Sequence, residues 1–368
     1  MLRNIFASEI SVPEKLKRAM KYTAQRRGAE KAWKQRHQIV FRNHPGYLKS
    51  AGQDIENTYR KLWKPFRRRA NPATLRICHA ISAKADPYTV PEDIFQSDIE
   101  PSLNFHEEAH YLSHKSLYRH HIDAEAFPAD LFNIIDGEIF NGDMERITRS
   151  DAERLLSRDS GPVVCKPNFR SYGGSGIQFF DHPDDLAHEL EHMDNVVVQK
   201  RLKQSPVFSA YNPKSLNTVR VYLYRSVVDN TIHILNTSLR MGVDSLKDNV
   251  TTGGLISRIN IGGHLNGYAL GRYGKKYDRH PISGLKFDLQ IPDYGKLCRL
   301  AERIMDKLFL LRIAGLDLYY DEHSEWKVLE INTKGHSIRM SQYAGVPFFG
   351  EYTREVISYC RDHHWALK

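Results

Sequence analysis

Two carboxylates and a carboxamide late in the chain have the spacing to hold a hard cation. They lie in Gly315-Leu-Asp-Leu-Tyr-Tyr-Asp-Glu-His-Ser-Glu-Trp-Lys-Val-Leu-Glu-Ile-Asn332, where apolar or aromatic residues flank a charged Asp321-Glu-His-Ser-Glu325 knot. That pattern predicts two short strands joined by a polar turn. With the turn centred near His323 and Ser324, Asp317 falls opposite Glu330, and Asn332 shares the face of Glu330 while Leu329 and Ile331 point into a core. Asp317, Glu330 and Asn332 together suit Mg2+, which prefers oxygen ligands and keeps positions open for substrate phosphates. An ordinary amphipathic hairpin with a wet polar face shows the same alternation, so the trio needs support from elsewhere.

A second group of residues points to phosphate. Lys166 ends the strand-like Val163-Val-Cys-Lys run and precedes Asn168-Phe-Arg-Ser-Tyr-Gly-Gly-Ser-Gly176. Strand, glycine-rich loop and return strand make a hairpin whose backbone can approach phosphates closely, with Lys166 as countercharge. The order differs from the Gly-x-x-x-x-Gly-Lys-Ser/Thr loop, where the lysine follows the glycines and a helix begins. Taken alone, Gly173, Gly174 and Ser175 also read as a mobile turn. Further on, Gln199-Lys-Arg-Leu202 ends an apolar strand and joins two halves of the body. Such a crossing can offer backbone groups to an adenine edge while Leu202 packs on the ring, or it can be a plain crossover.

The elements that must position these residues follow from the patterning. Residues 12–63 read as basic helices broken near Asn43-His-Pro-Gly46. Residues 71–101, with Asn71-Pro72, Asp86-Pro87, Val90-Pro91 and Glu100-Pro101, read as an extended connector, and no sheet is expected before residue 100. A helix is expected from Ala109 to His120, strands at 138–140, 161–167, 178–180, 196–202, 218–228 and 232–241, and helices at 184–193, 293–310 and 350–360. The expected units are residues 1–100 as basic extension and connector, 101–200 as the unit with the glycine-rich loop, and 201–368 as the unit with the cation site.

Composition narrows the classes. The 368 residues are 41% hydrophobic, enough for a substantial core, and no run reaches the ~18 apolar residues of a membrane span. The first residues lack the apolar stretch of a secretory signal. Cys78, Cys165, Cys298 and Cys360 are scattered, with no Cys-x-x-Cys pair, which fits a reducing cytoplasm. Of the net charge of +9, residues 1–70 carry more than the whole, 18 Lys and Arg against 5 Asp and Glu. A clustered positive field attracts an anionic membrane surface or another polyanionic acceptor, so peripheral contact at the inner membrane face is a further expectation. A solvated helical face is the alternative.

The order of these features resembles the ATP-grasp superfamily, and more closely its sugar-transfer associated branch. The resemblance spans about residues 55–362 and includes Leu62-Trp-Lys-Pro65, Ile-Glu-Pro101, Ser215-Leu-Asn-Thr-Val-Arg220, Leu239-Arg-Met-Gly242, Asp248-Asn249 with Gly253-Gly254, and Leu329-Glu-Ile-Asn332. It implies an α+β ATP-grasp fold, two α+β subdomains clamping ATP, after the basic helical extension. It further implies ATP and Mg2+ as cofactors. By the resemblance, Lys115 and Lys166 bind nucleotide, Gly173, Gly174 and Ser175 cover the phosphates, and Gln199, Lys200, Arg201 and Leu202 form the adenine hinge. Asp317, Glu330 and Asn332 then hold Mg2+, and Arg220 and Arg240 act on the transferred phosphoryl group. The implied reaction joins a carboxylate to an amine through an acyl-phosphate, acting on a sugar acid, amino sugar or amino acid, with sugar-linked substrates, in surface polysaccharide assembly. Bulky Arg170 and Tyr172 in the loop, Leu316 before the aspartate where tryptophan is frequent, and Lys334-Gly-His336 depart from that pattern.

Three other readings stay in view. The same cleft serves a kinase that stops at phosphorylating a hydroxyl. A degenerate fold would be a non-catalytic module binding nucleotide or polyanion. Finally, His106-Glu-Glu-Ala-His110, extended by His114, matches the zinc peptidase pattern on a helix, or a solvated histidine face.

Overall fold

The computed structural model describes residues 1–158, 161–169, 174–248 and 250–368, with the side chains of His110 and Thr251 also outside the description. Among the described residues, the strands form two antiparallel sheets. The first runs in the order β2-β1-β5-β3-β4, from β1 (Asp130–Ile135), β2 (Glu138–Asn141), β3 (Val163–Pro167), β4 (Gln178–Phe180) and β5 (Val196–Lys200). The second runs β10-β9-β8-β7-β6-β11-β12, from β6 (Thr218–Arg225), β7 (Ile232–Met241), β8 (Leu255–Ile259), β9 (Ala269–Leu270), β10 (Lys276–Tyr277), β11 (Ile313–Tyr320) and β12 (Trp326–Asn332). The α+β expectation is met, and the first strand begins after residue 100.

The second sheet has two unlike faces because its strands alternate two kinds of side chain. Val219, Val221 and Leu223 of β6 point with Ala314, Leu316 and Leu318 of β11 into a core closed by the helix Tyr294–Asp306. Full burial of each aliphatic side chain contributes roughly 1.5–3 kcal/mol. On the opposite face lie Arg220, Tyr222 and Tyr224, register partners of Asp317, Gly315 and Ile313. A layer of helices covers the Tyr222 and Tyr224 end of that face: Tyr59, Trp63, Leu75, Ile94, Phe95 and Ile99 share its cluster with Phe348 and Val356. The Arg220 end is left facing the first sheet.

That layer consists of α1 (Leu2–Ala7), α2 (Val12–Asn43), α3 (Gln53–Trp63), α4 (Ala73–Ser82) and a helical run over residues 92–103. The break at Asn43-His-Pro-Gly46 is where expected, with a single 3-10 turn at Pro45–Leu48. The extended connector is not. Leu75, Ile77, Cys78 and Ile81 of α4 are buried at helical spacing, so packing outweighs the neighbouring prolines, and Pro72 merely precedes the first turn. Buried polar groups tie α2 to the rest: Tyr22 donates to Asp98 (3.2 Å), and Asp98 also meets Arg67 (3.0 Å) and His364 (3.2 Å).

The expected helix from Ala109 to His120 is also absent. Glu107–Ser113 and Lys115–Leu117 are 3-10 turns separated by an extended His114, followed by one α-turn at Tyr118–His121. Asn168 captures this segment, accepting from the backbone N–H of Lys115 through its carbonyl and from that of Ser116 through its side chain, both at 3.0 Å. With the helix gone, His106 and His114 lose the common helical face that the peptidase pattern requires. No metal-binding group of three His, Cys, Asp or Glu residues occurs among the described residues.

Candidate active site

The hairpin of β11 and β12 pairs Asp317 with Glu330 and Gly315 with Asn332, as the spacing predicts. One detail differs. After Asp317 the register slips so that Leu318 faces Val328, leaving Leu329 as the extra residue of a β-bulge. Val328 and Ile331 therefore take the core positions, while Leu329, expected in the core, lines the cleft between the sheets. Gly315 is where two rings close in: a Cβ there would lie 3.1 Å from Tyr222 and 3.2 Å from His336.

Asp317 and Glu330 are each held by basic side chains. Arg220 donates to Asp317 through Nε and through Nη2 (2.7 Å), and Arg240 donates to it through Nη1 (2.9 Å). Burial of Asp317 favours the neutral acid, but the two guanidiniums outweigh it and hold the carboxyl at about 2. Lys115 Nζ lies 3.0 Å from Glu330 Oε1. The side-chain nitrogen of Asn332 donates to Gly315 O (3.1 Å) and reaches Asp317 at 3.5 Å, which leaves its Oδ1 for another partner. Arg240 also meets Asp248 (3.3 Å), which accepts from Thr218. Burial raises the Asp248 carboxyl despite Arg240.

Across the cleft, Lys166 of β3 is buried and donates to Gln199 Oε1 (2.7 Å), while Gln199 donates to Asp130 (2.8 Å). Burial, followed by repulsion from Lys115, lowers the Lys166 ammonium to about 8. A cavity of about 550 Å³ separates the sheets, with Val164, Lys166, Ile177 and Phe179 on one wall and Thr218, Lys247 and Asp248 on the other. Lys247 Nζ donates to Gly174 O (2.7 Å), joining the second sheet's loop to the glycine-rich loop.

Of the other expected residues, Gly174, Arg201 and Leu202 line this cavity. Gly174 has φ +74°, a conformation glycine adopts without strain. Arg201 stacks over Phe179 and reaches Asp181 (3.3 Å). Ser175 and Lys200 are exposed and not part of the cavity wall, and Gln199 turns toward Lys166 instead. Gly173, Arg170 and Tyr172 lie outside the described residues. Sequence reasoning missed Asp130, Lys247 and Leu329 as parts of the cleft. Asp248 was noted only as a family motif.

Residues 185–350 match the family model described as sugar-transfer associated ATP-grasp. Similar solved structures include N5-carboxyaminoimidazole synthetase from Staphylococcus aureus with ADP (11% identity, 61% of this chain and 46% of that one, TM-score 0.39). D-alanyl-alanine synthetase A from Vibrio cholerae O1 biovar eltor has 14% identity over 69% of this chain and 65% of that one, with TM-score 0.41. The ATP-grasp ligase PsnB with minimal precursor has 14% identity over 69% and 63%, with TM-score 0.42. The chain spans about half the length of the first of these. No curated protein sequence matches it.

Proposed function

We propose that the protein is an ATP- and Mg2+-dependent ligase that joins a carboxylate to an amine, acting on sugar-linked substrates. The observation that carries this reading is the convergence of Asp317, Glu330 and Asn332 on one sheet face, beside a cavity that the neighbouring Leu329 lines together with Lys166 and Gly174. Two carboxylates and a carboxamide oxygen are the hard donors that Mg2+ takes, with nucleotide phosphates completing the set. Bound Mg2+ would neutralise charge on the phosphate oxygens.

In this reading the chain's own residues position and neutralise. Lys115 and Lys166 exchange Glu330 and Gln199 for phosphate oxygens, and Arg220 and Arg240 turn part of their hydrogen bonding from Asp317 to the transferred phosphoryl group. A substrate carboxylate oxygen attacks the γ-phosphorus, the bond to the β,γ-bridging oxygen breaks, and ADP leaves. An amine nitrogen then attacks the carbonyl carbon of the acyl-phosphate, phosphate departs with the C–O bond, and the amine gives up a proton. Lys247, bonded to Gly174, holds the loop against the opposite wall and keeps water from the intermediate.

The basic extension belongs to the same proposal. The outer stripe of α2 carries exposed Val12, Leu16 and Met20 and then Arg27, Lys31, Lys34 and Arg42. An apolar end followed by a basic run suits an anionic lipid surface, where both halves find partners. No helix among the described residues is long and apolar enough to cross a membrane.

Product analysis tests the reaction. Incubation with ATP, Mg2+ and paired sugar acids and amines is expected to give ADP, phosphate and an amide only when both partners are present. A phosphorylated hydroxyl product would make the protein a kinase, and nucleotide binding without turnover on any pair would make it a binding module.

A further inference from the structure

A second cavity, of about 490 Å³, opens just past the end of β12, where Thr333, Lys334 and Gly335 line it. The two cavities share no lining residue, and β12 connects them: Leu329 lines the first and Thr333 the second, with Glu330 and Asn332 between. Four residues of extended chain span about 13 Å, so a ring-sized molecule seated in the second cavity can extend one substituent to the carboxylates. The wall nearest them is built and buried. Glu100, which lines the cavity, accepts from the backbone N–H of His336 (2.8 Å) and meets its Nδ1 (2.5 Å), and the ring's Nε2 lies 3.0 Å from Asn332 O. Asn104 binds Ile313 O and Thr333 O, at 2.7 and 2.8 Å, and so pins the same wall to β11 and to the end of β12.

The remaining lining comes from the helical layer, the segment that follows it from Phe105 to Ala109, the loop after β12 and the C-terminal turn, and includes the carboxylate of Glu107. Phe105 and Trp365 supply aromatic faces, Gln25 and Gln96 supply amides, and Lys21 and Lys334 supply positive charge. Lys21 Nζ lies 5.7 Å from the Trp365 ring centre, and Trp365 is itself held by its Nε1 donating to Ser97 O (2.8 Å). Aromatic faces stack on the C–H faces of a pyranose ring, amides bond its hydroxyls, and ammonium groups attract a carboxylate. We infer that this cavity binds the acid substrate, a sugar ring bearing a carboxylate, and that α2 is part of the substrate site. The inference rests on the ligase reading for its orientation toward the nucleotide, and on the cavity's own lining for the class of ligand.

Saturation-transfer NMR and titration of the full-length protein with glucuronate test it, with glucose and acetate as controls lacking the carboxylate or the ring. The expected order of affinity is glucuronate above glucose, with no transfer to acetate. Phe105→Ala and Lys21→Glu change partly or fully exposed side chains and are expected to weaken glucuronate at least tenfold while leaving ADP with Mg2+ within twofold of the parent. Failure of glucuronate to bind, or binding that both variants leave unchanged, overturns the assignment while nucleotide binding keeps the ligase reading intact. Glucuronate binding in a protein that takes no nucleotide would keep the cavity assignment and remove the ligase reading.

Discussion

At the residue scale, the cleft's charges are matched: Asp317 by Arg220 and Arg240, Glu330 by Lys115, and Lys166 by the amide of Gln199. The charges are not equally replaceable. Removing Asp317 would strand the largely buried Arg220 and leave Arg240 only Asp248, and breaking such a group costs about 3–5 kcal/mol. Glu330 is more exposed and faces one lysine, so Glu330→Gln probes chemistry with less damage to the fold. Lys166 offers a pH test. Its ammonium titrates near 8, protonated below and neutral above, and only the protonated form attracts phosphate. Affinity for ADP with Mg2+ is therefore expected to be level below pH 8 and to fall about tenfold per unit above it, with Lys166→Met abolishing that dependence in calorimetric titrations. Asp317, Glu330 and Asn332 were legible in the sequence because a hairpin converts spacing directly into register. Lys115 was legible only by resemblance, and Asp130 and Lys247 carry no local signal, because each reaches its partner across a long stretch of sequence.

At the element scale, the difference between expectation and structure lies where one long-range contact overrules a local pattern. The hairpin's alternation is interrupted by a single extra residue, which moves Leu329 from the core to the cleft. The helix expected around His110 gives way to the pull of Asn168 on Lys115 and Ser116. The helix α4, hidden among prolines, forms because its apolar face has the helical layer and the sheet to pack on. The same layer is locked to α2 through Asp98, whose carboxyl burial would raise but which the His364 hydrogen bond and Arg67 bring below its usual range. Asp98→Ala is expected to lower stability by about 1–3 kcal/mol, because it takes the shared carboxylate from buried Tyr22 and His364 while Arg67 keeps Glu30 (2.9 Å); a urea midpoint within error of the parent would contradict that role.

At the scale of the whole molecule, the basic N-terminal segment is part of the body's wall. Its helix α2 buries Tyr22, Ala29, Trp33 and Val40, so deleting it would expose core and confound any binding test. Charge reversal on the outer stripe avoids this. Lys31→Glu with Lys34→Glu is expected to reduce flotation with anionic liposomes severalfold, more at low salt than at high, with thermal stability unchanged. Flotation that is insensitive to both salt and charge reversal would leave α2 as scaffold alone. The charge asymmetry that prompts this test was plain in the composition, whereas the packing of α2 on the body was not, since its buried positions are few and separated by basic ones.

The central claim is that oxygens from β11 and β12 bind Mg2+ beneath a nucleotide seated between the sheets. Isothermal titration with a non-hydrolysable ATP analogue, with and without Mg2+, tests it most directly when run on the parent and on Glu330→Gln. Tight binding is expected only with Mg2+ in the parent, and at least a tenfold loss in the variant at unchanged thermal stability. Binding that ignores both Mg2+ and the substitution would contradict it.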